Sequence, residues 1–416
     1  MGDLQAPKGT YDVLPDQAAA RRVVERTAER ILGNAGFRRI ETPIFEHTEL
    51  FARGVGDATD IVAKEMYTFQ DAGDRSLTLR PEGTAPIMRA YHEHGLHREP
   101  QPVKLWYFGP FFRRERPQAG RFRQFWQLGA ETIGSADPAA DAEVITLLQA
   151  VLDELGVQDV RLRLATLGTP ERRAAYRDLL IAYLREHEAE LSDEVRSRID
   201  RNPLRAFDAD HPGTREVMAN APLLIDHLDA EDLEHFDAVK ARLDAAGVSY
   251  EVDPTLVRGL DYYTRTLFEF TSDALGAQSG VGGGGRYDRL AEQLGEKPTP
   301  GVGFAAGIER ILLAGDVDVD AAARAAHAPV ELYIVGDGAE HFGLAAEARR
   351  AGLTVELELA GRSAKGAMKQ AGRLGARFVV LTAADATIIK DLDSGEEEPI
   401  ELGAVVTHVL RERHLS

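Results

Sequence analysis

Five arginines, Arg113, Arg114, Arg116, Arg121 and Arg123, fall within FRRERPQAGRFRQFWQLGAE, residues 112–131, among Phe122, Phe125 and Trp126 and ahead of Glu131. A guanidinium is a planar, charged fork that fits two phosphate oxygens at once. Aromatic rings beside it offer a flat surface to a base. Phosphate plus base is a nucleotide. A solvated basic strand with core aromatics behind it explains the same stretch, and the stretch alone leaves both readings open. In LVRGLDYYTRTLFEF, residues 256–270, Arg258 stands beside Gly259 and is followed by Asp261, Tyr262 and Tyr263. Glycine lets a ligand approach the backbone, and two phenolic hydroxyls can read a polar ring. A turn entering a core strand accounts for it equally well. In TLRPEGTAP, residues 78–86, Glu82 and Thr84 suit an ammonium group, or they cap the first N–H groups of a helix. Arg310 ends GVGFAAGIER, whose Gly301, Gly303 and Gly307 miss the G-x-G-x-x-G spacing with no βαβ unit after them. His92, His94 and His97 suggest a metal site, but the His92–His94 pair does not share a helical face and no cysteine assists. The run Gly282–Gly285 lacks the ending of a phosphate loop and reads as a flexible active-site loop.

These residues need a scaffold, and 416 residues suffice for two or three domains. The net charge of -19 argues against broad nucleic-acid binding, although an acidic shell around one basic cleft still guides a polyanion to that cleft. The absence of cysteine excludes disulfides, thiolate catalysis and Cys-ligated zinc. No apolar run reaches membrane-span length, and MGDLQAPKGTYDVLPD lacks a secretory pattern, so a cytoplasmic address is expected. Residues 16–35 read as a helix with Asp16 at its N-cap and Gly36 closing it. FRRIETPIFE reads as extended, and Pro43 inside it marks an edge or an interface. VKLWYFGPFFRRER and FRQFWQLGAETIG read as two strands joined around Pro117–Gly120, followed by a helix over 138–155. Residues 170–245 have helical spacing and read as an inserted module. Strand patterns then return. Residues 315–328 are small, polar and unpatterned, hence a linker, and alternating β-rich and helical runs after them imply an α/β domain.

Taken in order, RRIETPIFE, FRRERPQAGRFRQFWQLGAE and GVGFAAGIERILL resemble motifs 1, 2 and 3 of the class II aminoacyl-tRNA synthetases. LVRGLDYYTRTLFEF, GGGRYDRL, APKGTYDVLP and TLRPEGTAPIMRAY are similar to the histidyl-tRNA synthetase family. The resemblance covers nearly the whole chain. It implies an α+β fold: a class II antiparallel sheet flanked by helices, with a helical insertion and a C-terminal α/β anticodon-binding domain. The corresponding divisions are 1–169 and 246–316 for the two parts of the catalytic core, 170–245 for the insertion, 317–328 for the linker and 329–416 for the anticodon-binding domain. The implied reaction is ATP-dependent ligation of L-histidine to histidine tRNA through a histidyl-adenylate. Mg²⁺ would arrive with ATP, without a protein cage. A homodimer built on motif 1, with Pro43 near the interface, and no membrane association are also implied.

The resemblance further assigns roles. Arg113 would contact the α-phosphate and the histidine carboxylate, with Arg258 as the catalytic arginine opposite it. Glu82, Thr84 and Gln127 would hold the α-ammonium. Glu131 and Tyr263, with Tyr262 nearby, would bind the imidazole. Glu115 would read the adenine amino group, Phe125 would stack on the base and Arg310 would lie near the γ-phosphate. Arg116, Gln118, Arg121 and Arg123 would meet the tRNA acceptor end and its extra 5′ guanosine. The chemistry suits these residue types. A carboxylate nucleophile is already ionised at neutral pH, so the step needs alignment and charge neutralisation rather than a base. The chain departs from the family pattern at Gly282, often Cys, at Arg289, often Gly, and in LTAADATIIKDLDSGEE, which is shorter. Two rivals stand beside this reading. The catalytically silent paralogue that regulates histidine biosynthesis usually lacks the C-terminal domain and the motif arginines, whereas this chain keeps Arg113, Arg258, Arg310 and residues 330–416. An adenylating enzyme that charges no tRNA leaves the Arg-rich loop unexplained.

Overall fold

A computed structural model describes residues 4–413 apart from 57, 58, 60, 277, 278, 384 and 385. The first three residues, and two positions in the short segment LTAADATIIKDLDSGEE, therefore lie outside the described residues. The chain forms two compact units, Met1–Val319 and Asp320–Ser416.

In the first unit the strands are β1 (Arg38–Arg39), β2 (Phe45–His47), β3 (Tyr67–Gln70), β4 (Ser76–Leu79), β5 (Val103–Phe112), β6 (Gln124–Ile133), β7 (Val160–Thr166), β8 (Glu251–Val252), β9 (Thr264–Ser272), β10 (Gly280–Arg286) and β11 (Gly301–Gly307). Eight of them form one sheet in the order β1-β5-β6-β11-β10-β9-β7-β8, and β2-β4-β3 form a small second sheet. Pairing in the large sheet is antiparallel except for β1 with β5 and β7 with β8. Strand side chains alternate between faces, so each strand serves two cores. Trp106, Phe108, Leu128 and Ala130 pack on one face against the helices Pro15–Asn34, Pro138–Glu154 and Ala230–Ala245. Leu105, Tyr107 and Phe111 point to the other face. The β5–β6 register pairs Leu105 with Glu131, Tyr107 with Gly129, Gly109 with Gln127 and Phe111 with Phe125. Phe125, Gln127 and Glu131 therefore share that second face, which carries the candidate site.

Several expectations change. The first helix begins at Pro15 with Leu14 as N-cap, and Asp16 sits in the first turn, where its charge favours the helix N-terminus. Gly36 follows the helix end with φ +83°, as a helix stop requires. Pro43 lies between β1 and β2 rather than inside a strand. Gly282–Gly285 form the buried centre of β10, not a loop. A methyl group at Gly283 would come within 2.6 Å of the Phe268 carbonyl, and one at Gly284 would overlap the Gly303 carbonyl. Glycine here answers close approach of neighbouring backbone rather than a need to turn. Of the stretch expected to be inserted, the helix Ala230–Ala245 supplies Phe236, Val239 and Leu243 to the core under the sheet. Its His235 also faces Asp141, 3.4 Å away, which pairs with the fully buried Arg286 at the end of β10. The expected linker contains the helix Val319–Ala326, consistent with the helix preference of its alanines.

The second unit has β12 (Leu332–Val335), β13 (Val355–Leu357), β14 (Phe378–Ala383), β15 (Ala386–Asp391) and β16 (Glu397–Pro399) in the order β13-β12-β14-β15-β16. The strands β13, β12 and β14 are parallel, and β15 and β16 continue antiparallel. The helices Ala339–Arg350 and Val405–Arg413 meet one core, and Ala364–Arg373 meets the other.

Gly284→Ala is expected to destabilise the first unit by about 3 kcal/mol or more, because backbone cannot give way as a side chain can. Gly343→Ala, in the helix Ala339–Arg350 with open space around it, is expected to stabilise the second unit by about 1 kcal/mol. Denaturant unfolding monitored separately for the two units distinguishes the effects.

Candidate active site

Two adjoining cavities open on the second face of the large sheet. The smaller, about 90 Å³, is lined by Glu82, Thr84, Tyr107, Tyr262, Tyr263 and Tyr287 among others. The larger, about 420 Å³, is lined by Glu115, Arg121, Phe122, Phe125, Glu269 and Arg310 among others. Arg113, Gln127, Arg258, Leu260 and Ala305 line both.

Beside the smaller cavity, Glu131 is 1% exposed. The Thr84 hydroxyl donates to its Oε1 at 2.8 Å and the Tyr287 hydroxyl to its Oε2 at 2.6 Å. Burial pushes the Glu131 carboxyl up to about 8, against the opposing pull of the two hydroxyls. The group therefore keeps its proton to higher pH than an exposed carboxyl does. Glu82 accepts the backbone N–H of Thr84 at 2.7 Å and of Ala85 at 3.0 Å, which caps the helix Thr84–Glu93. The capping reading of TLRPEGTAP therefore holds, and Glu82 also faces the cavity. Burial raises its pKa and the two N–H groups offset part of that. The Tyr107 hydroxyl and Gln127 Oε1 are buried without a hydrogen-bond partner among the described residues. A buried polar atom left unbonded is costly, so both favour a polar guest.

The larger cavity is cationic, and its cations are anchored. Arg113 Nε donates to the Pro81 carbonyl at 2.9 Å, and its guanidinium lies 5.4 Å from the Phe125 ring centroid. Arg258 pairs with Glu269, whose other oxygen lies 3.2 Å from Arg163, and Arg163 in turn holds Asp253 at 2.8 Å. Arg121 pairs with Glu115. Arg310 donates to the Gly280 carbonyl and, at 3.3 Å, to the Gly120 carbonyl. Burial first, then the neighbouring Arg121, lower its pKa.

The Arg-rich loop between β5 and β6 is braced by the N-terminal segment. Arg123 N–H donates to the Gly9 carbonyl at 2.7 Å, and the Tyr11 ring lies 4.6 Å from Phe122. The Tyr11 hydroxyl donates to Glu309 at 2.8 Å, and Glu309 also accepts the Trp126 N–H at 3.1 Å. Gln118 and Arg121 close the loop tip with paired backbone bonds of 3.1 and 2.9 Å around Gly120 at φ +68°. The expected aromatic platform is divided: Phe122 and Phe125 line the larger cavity, whereas Trp126 lies under Arg21. Arg116 and Gln118 are exposed at the tip, Arg121 lines the cavity and the Arg123 guanidinium is turned to the Lys8 and Glu115 carbonyls.

Thus Glu82, Thr84, Gln127, Tyr262, Tyr263, Arg113 and Arg258 converge on the smaller cavity above Glu131, and Glu115, Phe125 and Arg310 join Arg113 and Arg258 at the larger. Tyr107, Tyr287 and Glu269 were not legible as site residues. Tyr287 lies in GGGRYDRL, a stretch with no chemistry evident on its face. Tyr107 enters through strand register, opposite Gly129, where a methyl group would strike its ring. Gly282 lines the larger cavity, while Arg289 pairs with Glu171 at 3.0 Å and lines neither cavity. His92 and His97 stack at 5.8 Å, and His92 faces Glu296. The arrangement can hold a small zwitterion in the smaller cavity and a polyphosphate in the larger, with two guanidiniums at their boundary.

A family profile described as Histidyl-tRNA synthetase matches residues 9–311. The chain is 50% identical over 408 residues to a histidine--tRNA ligase of Nocardia farcinica, covering 96% of each chain. It is similar to the apo histidyl-tRNA synthetase of S. aureus with a TM-score of 0.76 and 35% identity, covering 98% of this chain and 100% of that one. A Bacillus halodurans structure described as an ATP phosphoribosyltransferase regulatory subunit/histidyl-tRNA synthetase shares the fold with a TM-score of 0.62 at 24% identity, over 91% of this chain and 98% of that one.

Glu131→Gln tests the buried carboxyl. Because its folded pKa lies above the usual carboxyl value, the native state binds the extra proton between that value and about 8. Stability from this group is therefore highest at low pH and falls as pH rises through that window. Trp106 and Trp126, the chain's two tryptophans, report on the first unit. Between pH 6 and 8, unliganded wild type is expected to lose stability relative to Glu131→Gln by up to about 1.4 kcal/mol per pH unit. Parallel pH profiles would show that the buried carboxyl ionises without cost.

Proposed function

The chain belongs to the histidyl-tRNA synthetase family, and from that premise we propose that Arg113 and Arg258 together carry the activation of histidine. The reaction is the ATP-dependent ligation of L-histidine to its tRNA through a histidyl-adenylate, with release of AMP and pyrophosphate. The observation that carries the assignment is that these two arginines line both cavities. Histidine would sit in the smaller cavity, its imidazole on Glu131 and Tyr263 with Tyr262 beside them, and its ammonium on Glu82, Thr84 and Gln127. Its carboxylate then faces Arg113 and Arg258. ATP would fill the larger cavity, the base against Phe125, the adenine amino group on Glu115 and the terminal phosphates toward Arg310.

The carboxylate oxygen attacks the α-phosphorus. A carboxylate–phosphorus bond forms, the bond to the bridging oxygen of pyrophosphate breaks, and pyrophosphate takes the electron pair. No proton moves, so a base is unnecessary. Arg113 and Arg258 neutralise charge on the equatorial oxygens, and being anchored beforehand they need little reorganisation. Mg²⁺ would arrive with ATP and supply further charge neutralisation at its phosphates. Of the acids lining the larger cavity, Glu115, Glu269 and Asp208 are engaged by arginines and are poor ligands for it, so no protein cage is assigned. A side chain without polar ring atoms would leave the buried Tyr107 hydroxyl unpaired and gain nothing from Glu131, which supports discrimination without editing.

Arg116, Gln118, Arg121 and Arg123 would meet the acceptor end of histidine tRNA, and residues 329–416 its anticodon arm. The divisions 1–169, 170–245, 246–316 and 317–328 follow the same reading. Exposed Ile44, Phe45 and Phe69 beside Pro43 support a homodimer interface, Phe45 and Phe69 lying 6.2 Å apart. Among the described residues no helix is long and apolar enough to cross a membrane. A cytoplasmic location fits the reaction. The presence of Arg113, Arg258 and Arg310 around the cavities favours the ligase over a silent regulatory subunit.

ATP–pyrophosphate exchange with each amino acid in turn is expected to respond to histidine alone, and Arg258→Ala to lower it roughly 10²- to 10³-fold with the fold intact. No exchange with histidine in folded wild type would overturn the proposal. Sedimentation of a Phe45→Asp, Phe69→Asp double variant is expected to give monomer where wild type gives dimer. A wild-type monomer would remove the homodimer.

A further inference from the structure

We propose that the outer face of the helix Ala364–Arg373 binds the phosphate backbone of the tRNA anticodon arm through Lys365, Lys369 and Arg373. The proposal rests on the reading of the second unit as the tRNA-contacting domain and names the surface that makes the contact.

The helix has two opposed faces. Ala367 and Ala371, four residues apart, are fully buried against β12 and β14 through Tyr333 and Val379. Lys365, Lys369 and Arg373 follow the same four-residue step offset by two positions, so they project on the opposite side. All three are exposed. Their charged groups recur about every 6 Å along the axis, the length of four helical residues. Gly372 adds no side chain to the exposed surface and leaves the stripe open to a close approach.

Charge pairing separates these cations from most others near them in the second unit, although among the described residues the exposed Arg350 on the helix Ala339–Arg350 is also unpaired. Arg362 lies 3.0 Å from Glu358, Arg377 faces Asp391 and Lys390 reaches Glu397 at 3.1 Å. Among the described residues, Lys365, Lys369 and Arg373 have no ion-pair or hydrogen-bond partner for their side chains. The unit is not short of carboxylates, having 15 Asp and Glu against 11 Lys and Arg over Asp320–Ser416. Yet residues 359–384 contain five Lys and Arg and no acid. A domain that is acidic as a whole but has a row of unneutralised cations on one rigid helix is suited to a polyanion that touches it on one side only. Regular spacing on a helix suits a backbone of repeating phosphates better than a single small anion, which would need cations that converge. The face carries no aromatic side chain, so it would position the RNA rather than read its bases.

The full-length triple variant Lys365→Gln, Lys369→Gln, Arg373→Gln tests this, with histidine tRNA as the probe. ATP–pyrophosphate exchange with histidine is expected to be unchanged, since these residues are far in sequence from the activation site and lie in the other unit. Affinity for the tRNA is expected to fall at least tenfold at low salt. The slope of log affinity against log salt is expected to become shallower by about 2 to 3, one contact's worth per lost cation. Lys365→Arg, Lys369→Arg is expected to retain both. Unchanged affinity and slope in the triple variant would overturn the proposal. Hydroxyl-radical footprinting of wild type separates this failure from that of the premise. Protection of the anticodon arm with no effect of the triple variant would move the contact to another face of the second unit. No protection of that arm would remove the tRNA-contacting reading and this proposal with it.

Discussion

A carboxyl group sealed inside a protein persists only if its oxygens are bonded, and Glu131 is bonded by hydroxyls from two separate segments. Thr84 reaches it from the start of one helix, and Tyr287 from just beyond the end of β10. The requirement extends outward. Glu131 needs room across the strand, and Gly303 on β11 provides it, since a methyl group there would overlap the carboxylate. Thr84 must be held, and Glu82 holds it by capping the same helix. Tyr287 must be held, and the neighbouring Arg286 is fixed by the buried Asp141 of the helix Pro138–Glu154. One polar contact in the middle of an apolar layer thus constrains a helix start, two glycine-rich strands and a buried ion pair.

The cationic half of the site solves the converse problem. Arginines grouped around one cavity repel one another, and each is restrained by a carboxylate or a carbonyl before any phosphate arrives. Glu269 holds Arg258, Glu115 holds Arg121, and backbone carbonyls hold Arg113 and Arg310. The acids are few enough that the cavity keeps a cationic wall within a chain of net charge -19. Restraint also fixes direction. A guanidinium already aimed at the cavity loses less freedom on binding than one on a mobile stem. The N-terminal segment extends this restraint to the Arg-rich loop through Gly9, Tyr11 and Glu309.

The two strands around the Arg-rich loop were legible because their alternation and length are local properties. The helix 84–93 and the α/β pattern of the second unit were legible for the same reason. Glycine was the main source of error. Gly282–Gly285 looked like a loop because glycine permits loops, but the same residue is required where two strands and a carboxylate leave no space for a methyl group. The helix Ala230–Ala245 was grouped with the helical stretch before it because their spacing is alike, although its apolar side belongs under the sheet. Trp126 shared a strand with Phe125, yet period-two alternation sends adjacent side chains to opposite faces.

By itself the sequence determined the residue types available to the chemistry, their grouping into segments and the order of those segments. These follow from local spacing and from chemistry that each side chain carries wherever it lies. Only the tertiary structure decided that Arg113 and Arg258, 145 positions apart, share one boundary between two cavities. It also decided that Tyr107 and Tyr287 line the cavity beside which Glu131 is buried, and which acid anchors which arginine. Strand register and burial set those relations, and both depend on contacts between residues too far apart in the chain for any local pattern to encode.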